Sequence, residues 1–155
     1  MQKTLDEFSN YYSTKNETQP FFIKKIIKNH TIDLLKSKII LKNADIEFDI
    51  EDNFTINSYE HILSNIMMIL LDNSLDNFKE NNTNNKITIA IEEKENKHII
   101  TYIDNAGGIK IKPIEKAFEY FISSKDEKNQ KGHGMGLAIT KMLVEAVSIG
   151  GLYFL

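Results

Sequence analysis

With 155 residues, 41% of them hydrophobic and 26% charged, the chain has the apolar content of one folded domain with a real core, and one domain is expected. It contains no cysteine, which excludes a disulfide framework and a thiolate metal site and fits a reducing compartment. Net charge is −3 and there is no arginine; groove reading and bidentate phosphate capture lean on guanidinium groups, so nucleic acid is not an expected partner.

In chain order, Leu5, Phe8 and Tyr12 recur at i, i+3 and i+7, an apolar stripe over residues 1–14 that reads as the end of a longer helix. The first residues carry acids and no apolar run, so they are not a signal peptide. Residues 15–20 form a polar linker closing on Pro20. Helical periodicity follows over 21–41 through Ile23, Ile26, Ile27, Leu34, Leu35 and Ile39. Ile46, Phe48 and Ile50 then alternate with acids, the period of a half-buried strand. A long helix over 58–80 is apolar on most sides through Ile62, Leu63, Ile66, Met67, Leu70, Leu71 and Leu75, and is therefore expected to be mostly buried. Its longest apolar run, 62–71, is broken by Ser64 and Asn65 and is roughly half a membrane span, so this piece is expected to be soluble. Two alternating strands, 86–93 and 97–104, are joined by "KENK" as an antiparallel hairpin. Pro113 opens a short helix over 113–120, a polar glycine-containing segment over 123–136 has the length of a functional lid, 137–147 is an amphipathic helix, and 150–155 ends as a strand. This order predicts an α+β fold, a two-layer α/β sandwich with helices on one face of a sheet.

Two glycine-containing stretches carry chemistry. "GHGMGL", residues 132–137, places Gly132, Gly134 and Gly136 at alternate positions before a helix, so backbone N–H groups and the positive helix end can hold oxyanions. A plain flexible loop suits the same pattern. It is neither a Walker A loop nor a dinucleotide fingerprint. "DNAGGI", residues 104–109, would alone read as a tight turn. Beside an anion cradle it gains a second meaning: Asp104, at a strand end, can accept a hydrogen bond from the exocyclic amine of adenine, with Ala106 and Gly108 letting the ring lie close. On the long helix, the neutral amide oxygen of Asn73 can complete the coordination of a Mg²⁺ that keeps several waters, although an exposed helix asparagine is the plainer reading of that residue alone.

Asn73, then Asp104-x-Ala106-x-Gly108, then "FEYFISSK" at 118–125, then Gly132-x-Gly134-x-Gly136-Leu137 resembles the N, G1, F and G2 boxes of the ATP-binding catalytic domain of sensor histidine kinases, in the superfamily of gyrase, heat-shock chaperone and mismatch-repair ATPases. The resemblance implies the Bergerat fold, with a mostly antiparallel sheet covered by helices on one face, a catalytic domain over 21–155 and an ATP lid over about 106–133. By position it implies that Asp104 binds the adenine amine, that Ala106 and Gly108 line the base, that Asn73 holds Mg²⁺, that Gly132, Gly134 and Gly136 cradle the phosphates with His133 contributing its backbone and no catalysis, and that Ile109, Met135 and Leu137 belong to the ATP-binding set. Lys125 and Lys131 are lid cations that can approach the phosphates or remain solvated. An alternative frame makes Asn77 the metal ligand; Asn73 is preferred because the small Ser74 follows it, whereas Phe78 follows Asn77.

Three departures qualify the likeness. Ile69 stands one helical turn before Asn73, where the family usually has a polar residue, so proton transfer would be weakened or moved to Asp72 or Asp76. Tyr120 stands where proline is frequent in the F box. His30, His61, His98 and His133 precede Thr, Ile, Ile and Gly, so the usual His-acid phosphoacceptor is missing. The resemblance therefore implies a bacterial, cytoplasmic kinase fragment, or the cytosolic end of a membrane sensor. It would transfer the γ-phosphoryl of Mg-ATP to a histidine on a helical dimerisation domain, as part of a homodimer that serves a response regulator. The other readings are a serine kinase of the anti-sigma-factor type and a nucleotide-binding pseudokinase.

Overall fold

The computed structural model describes residues 18–119, 136–148 and 152–154. The stripe over 1–14 and residues 120–135, which hold about half of the expected lid, lie outside the described residues, and with them Tyr120, Lys125, Lys131, Gly132, His133, Gly134 and Met135.

The first described element is a short strand, β1 (Gln19–Phe22), which pairs antiparallel with β3 (Thr55–Ser58). Gln19 and Pro20, expected to close a linker, and Phe21 and Phe22, expected to open a helix, form this strand instead. Pro20 can sit there because the strand has one partner and its missing N–H breaks no central ladder. The β3 strand had no sequence signal beyond Ile56, its four residues being too short for alternation to register.

Helix follows directly as α1 (Ile23–Ile27), a π turn (Lys28–Ile32) and α2 (Asp33–Leu41). Ile23 and Ile27 are fully buried and Leu35 and Ile39 pack partly on the core, but Leu34, expected on the buried stripe, is 72% exposed. The π turn supplies the reason, since its wider winding rotates the second half of the helix relative to the first.

The main sheet is four-stranded, in the order β2 (Ala44–Asp49), β4 (Asn85–Lys94), β5 (Lys97–Asp104) and β6 (Leu152–Phe154). The β4–β5 hairpin is antiparallel, turning through Glu95 and Asn96, both at positive φ, as two-residue hairpin loops require. The strands β2 and β6 join its outer edges in parallel. The layered α+β fold is as expected, while the expectation of a mostly antiparallel sheet holds for the central hairpin and not for the two edges. The chain passes through a helix between β2 and β4 (Glu60–Asn77) and again between β5 and β6 (Gly136–Ser148), and a strand that returns through a helical crossover runs parallel to its neighbour.

The long helix α3 (Glu60–Asn77) packs Ile62, Leu63, Ile66, Met67, Leu71 and Leu75 into one core with Ile87, Ile89 and Ile100 of the sheet, all essentially without solvent exposure. At roughly 1.5–3 kcal/mol for each fully buried aliphatic side chain, this face is what fixes α3 on the sheet. The last helix, α4 (Gly136–Ser148), contributes buried Ala138 and Leu143. The short helix expected over 113–120 is a 3₁₀ helix, Ile114–Phe118, with Pro113 just before it.

Candidate functional site

Strand period places Ile100, Tyr102 and Asp104 on one face of β5, and the register sets Ile91, Ile89 and Ile87 opposite them. That face is the one covered by α3, so Asp104 is the polar end of an otherwise apolar row. Across from it, Ser74 of α3 donates its hydroxyl proton to Asp104 Oδ2 over 2.6 Å, and the Tyr102 hydroxyl lies 2.8 Å from the same Ser74 oxygen. The second carboxylate oxygen, Oδ1, accepts the backbone N–H of Ala106 at 2.9 Å, so the head group is held from two directions. Asp104 itself remains exposed at the strand end, available to a ligand. Burial pushes the Tyr102 hydroxyl well above the usual tyrosine range, and it stays protonated at any ordinary pH.

The amide after the carboxylate acts as a clamp. Asn105 Oδ1 accepts the N–H of Lys86 at 2.8 Å, its Nδ2 donates to the Asn84 carbonyl at 2.6 Å, and its own N–H reaches the Lys86 carbonyl at 3.2 Å. One side chain thus extends the ladder past its end and fixes where Asp104 stands. Gly107 and Gly108 follow at φ +101° and +70°, and among the described residues a Cβ on either would meet no atom within 4 Å. Glycine is needed here for a left-handed backbone; among the described residues no close neighbour demands it. Ala106 packs partly on the core, and Ile109 is 39% exposed.

One turn of α3 carries the other half of the site. A Cβ built on Gly136 would lie 3.3 Å from Ile69 Cγ2 and 3.4 and 3.7 Å from the amide nitrogen and oxygen of Asn73. The last glycine of the alternating run therefore rests directly on Asn73 and the residue one turn before it. Asn77 instead folds its Nδ2 back onto the Asn73 carbonyl at 2.9 Å and is exposed. Asp72 and Asp76, one turn apart, both bind Lys38 Nζ of α2. Burial works against the charge on Lys38, but its hydrogen bonds and ion pairs with the two aspartates outweigh that and raise its pKa. Leu137 is half-buried at the start of α4.

The structure thus brings Asp104, Ala106, Gly107 and Gly108 to one strand end and Asn73, Ile69 and Gly136 to one contact, both on the same helix turn through neighbouring Asn73 and Ser74. Tyr102 and Asn105 were not legible as site residues. The signals for them were the period-two partner of Asp104 and its immediate neighbour. Among the described residues no three His, Cys, Asp or Glu side chains cluster to hold a metal, so a cation here would take the Asn73 oxygen, waters and ligand oxygens; that donor set suits Mg²⁺, which keeps waters and binds phosphate.

Comparison with known proteins places the chain in a family. Residues 58–154 match the family described as histidine kinase-, DNA gyrase B- and HSP90-like ATPases. The chain is 25% identical over 113 residues to the signal transduction histidine-protein kinase BaeS of Escherichia coli (strain K12), and 26% identical over 113 residues to the sensor protein ChvG of Agrobacterium fabrum (strain C58). The match covers 72% of this chain in both cases but spans only 24% of BaeS and 19% of ChvG. Among solved structures, the catalytic domain of histidine kinase ThkA superposes with a TM-score of 0.69 at 23% identity, covering 85% of this chain and 82% of that one. Acinetobacter baumannii histidine kinase AdeS gives 0.69 at 16% identity, covering 94% and 64%.

Proposed function

Because the chain belongs to the family of histidine kinase-, DNA gyrase B- and HSP90-like ATPases, we propose that it is the ATP-binding catalytic domain of a sensor histidine kinase, transferring the γ-phosphoryl of Mg-ATP to a histidine outside this sequence. The observation that carries the reading is the Asp104 carboxylate, held at the end of β5 by Ser74 and Ala106, one helix residue away from an Asn73 that faces Gly136. Asp104 accepts the hydrogen bond of the adenine amine. The left-handed backbone at Gly107 and Gly108 turns the chain away so that the base can lie over Ala106. Asn73 is the metal ligand of choice over Asn77, and Gly132, Gly134 and Gly136 hold the phosphates with their N–H groups. Mg²⁺, when bound, supplies neutralisation of phosphate charge. In-line phosphoryl transfer depends chiefly on positioning and charge stabilisation, so these residues suffice once an acceptor histidine is delivered.

Both curated relatives are named as a kinase or sensor, which supports a response regulator as the downstream partner and a homodimer joined through a helical domain that residues 1–14 would continue. No helix among the described residues is long and apolar enough to cross a membrane, and we place this domain in the cytosol, alone or at the end of a membrane sensor. Hydrolysis of the gyrase or chaperone kind is disfavoured by Ile69, an aliphatic side chain where those enzymes carry a base.

Calorimetry with a nonhydrolysable ATP analogue tests the binding step. Affinity that depends on Mg²⁺ and is lost in Asp104→Ala is expected, and unchanged affinity in that variant overturns the reading. Acid-labile phosphate on an added helical domain, and none on this chain alone, tests the transfer.

A further inference from the structure

We propose that Tyr102 and Ser74 form a one-way hydrogen-bond relay that holds the Asp104 carboxylate as a fixed acceptor and so sets a preference for 6-amino over 6-oxo purine nucleotides. The inference rests on the reading of Asp104 as the group that meets the base.

The direction of the relay follows from counting protons. Ser74 Oγ lies 2.6 Å from Asp104 Oδ2, 2.8 Å from the Tyr102 hydroxyl and 3.1 Å from the Leu70 carbonyl. A serine hydroxyl donates once. Were its proton given to Leu70 or to Tyr102, an oxygen lone pair would face a carboxylate oxygen at 2.6 Å with nothing between them. The short distance is that of a charge-assisted bond, so the proton lies toward Asp104. Tyr102, protonated because burial holds its hydroxyl neutral, then donates to Ser74. Each bond in such a chain polarises the next.

The consequence for the ligand is geometric. With Ser74 on Oδ2 and the Ala106 N–H on Oδ1, neither oxygen can swing away, and every remaining lone pair is an acceptor. A 6-amino group supplies the donor that such an acceptor needs. A 6-oxo group opposes lone pair to lone pair. Without the relay the carboxylate can rotate out of that conflict, so selectivity is the property that the relay governs. The two residues are positioning residues: Ser74 touches Asp104, Tyr102 touches Ser74, and neither is given a contact with the nucleotide.

The test compares ATP with ITP, its 6-oxo counterpart, by calorimetry on the whole chain and its variants. The expected ratio of affinities favours ATP in the unaltered chain. It falls about tenfold in Ser74→Ala, the effect of one hydrogen bond to a charged group, and about threefold in Tyr102→Phe, which removes only the polarising bond. Tyr102→Phe should add nothing in a Ser74→Ala background, because the relay is already cut. Ser74→Ala alone leaves the Tyr102 hydroxyl without its acceptor. If that variant does not fold, the Ser74→Ala/Tyr102→Phe pair, which removes both polar partners, must carry the same tenfold loss. Asp104→Asn separates the two claims. Unchanged ATP affinity in that variant defeats the reading of Asp104 itself. Lost affinity there, with an unaltered ATP to ITP ratio in Ser74→Ala or the pair, defeats the relay alone.

Discussion

Gly136→Ala places a methyl group where the structure gives it two opposed effects. The new Cβ would stand 3.3 Å from Ile69 Cγ2, closer than a relaxed contact, so that side chain must give by a few tenths of an ångström, and 3.4 Å from Asn73 Nδ2, at the near edge of ordinary contact. Overpacking of this kind costs ~1–3 kcal/mol. Alanine in place of glycine in a helix returns up to ~1 kcal/mol, less at a first turn. The net expectation is a destabilisation of ~0–3 kcal/mol, or up to roughly ten degrees in melting temperature for a domain of this size. Nucleotide affinity should respond as well, because the methyl group fills the space beside the Asn73 amide. The contact also predicts coupling, since Ile69→Ala removes Cγ2 and should absorb part of the strain. In a double-mutant cycle followed by urea unfolding and by ATP-analogue binding, Gly136→Ala should be milder in the Ile69→Ala background by ~0.5 kcal/mol or more. Strict additivity would refute the claim that the glycine is there to let α4 rest on α3.

The buried Tyr102 hydroxyl should make the fold sensitive to alkali: its pKa is raised above 10.0, so between that value and the folded one the native chain keeps a proton that the unfolded chain releases. Stability from this group is therefore complete below pH 10 and falls above it, by up to ~1.4 kcal/mol per pH unit, and Tyr102→Phe should flatten the urea midpoint against pH in that range. Parallel curves for the two proteins would contradict it. Lys38, raised above 10.5 by Asp72 and Asp76, contributes fully below that pH and loses its contribution as pH climbs through the folded value. Lys38→Met should cost ~1 kcal/mol in low salt and less in 1 M salt, and a salt-independent loss would show that packing, not charge, is at stake. Buried Asn85 donates to the carbonyls of Lys42 at 2.7 Å and Lys79 at 3.0 Å, so Asn85→Ala should lose ~2–4 kcal/mol on thermal unfolding, and a loss under ~0.5 kcal/mol would be inconsistent with those bonds. Ile69→Glu should raise phosphate release from ATP by an order of magnitude or more, given what a positioned base contributes; unchanged release with ATP binding intact would count against that placement.

Long periodic elements were legible because many residues voted for them. Seven apolar positions on α3 and two alternating runs around a four-residue connector leave little choice, and the hairpin turn falls on Glu95 and Asn96 inside that connector. The short strands β1 and β3 were not legible: they have four residues each, and their pairing across more than thirty positions follows from tertiary contact that no local pattern encodes. The parallel direction of β2 and β6 is likewise a matter of connection. In the candidate site, the side chains proposed to meet the ligand, Asp104 and Asn73, could be singled out by type and neighbourhood. Tyr102, Ser74 and Asn105 hold Asp104 and its strand end, and a holding residue looks like any strand or helix residue until its partner is in place.

Ile69 draws these strands of argument together. On sequence grounds it is a loss, an aliphatic side chain where a base would stand. Among the described residues its Cγ2 methyl is the atom closest to where a Gly136 side chain would begin, and it packs partly on the core. It therefore works as a spacer between α3 and α4, putting hydrocarbon one helical turn before Asn73. Hydrolysis requires an activated water in line with the γ-phosphate, whereas transfer to a protein acceptor requires that water be kept out until the acceptor arrives. An apolar residue one turn before Asn73 weakens the first reaction and protects the second, so the departure that counts against an ATP hydrolase is compatible with a kinase whose nucleophile comes from another domain.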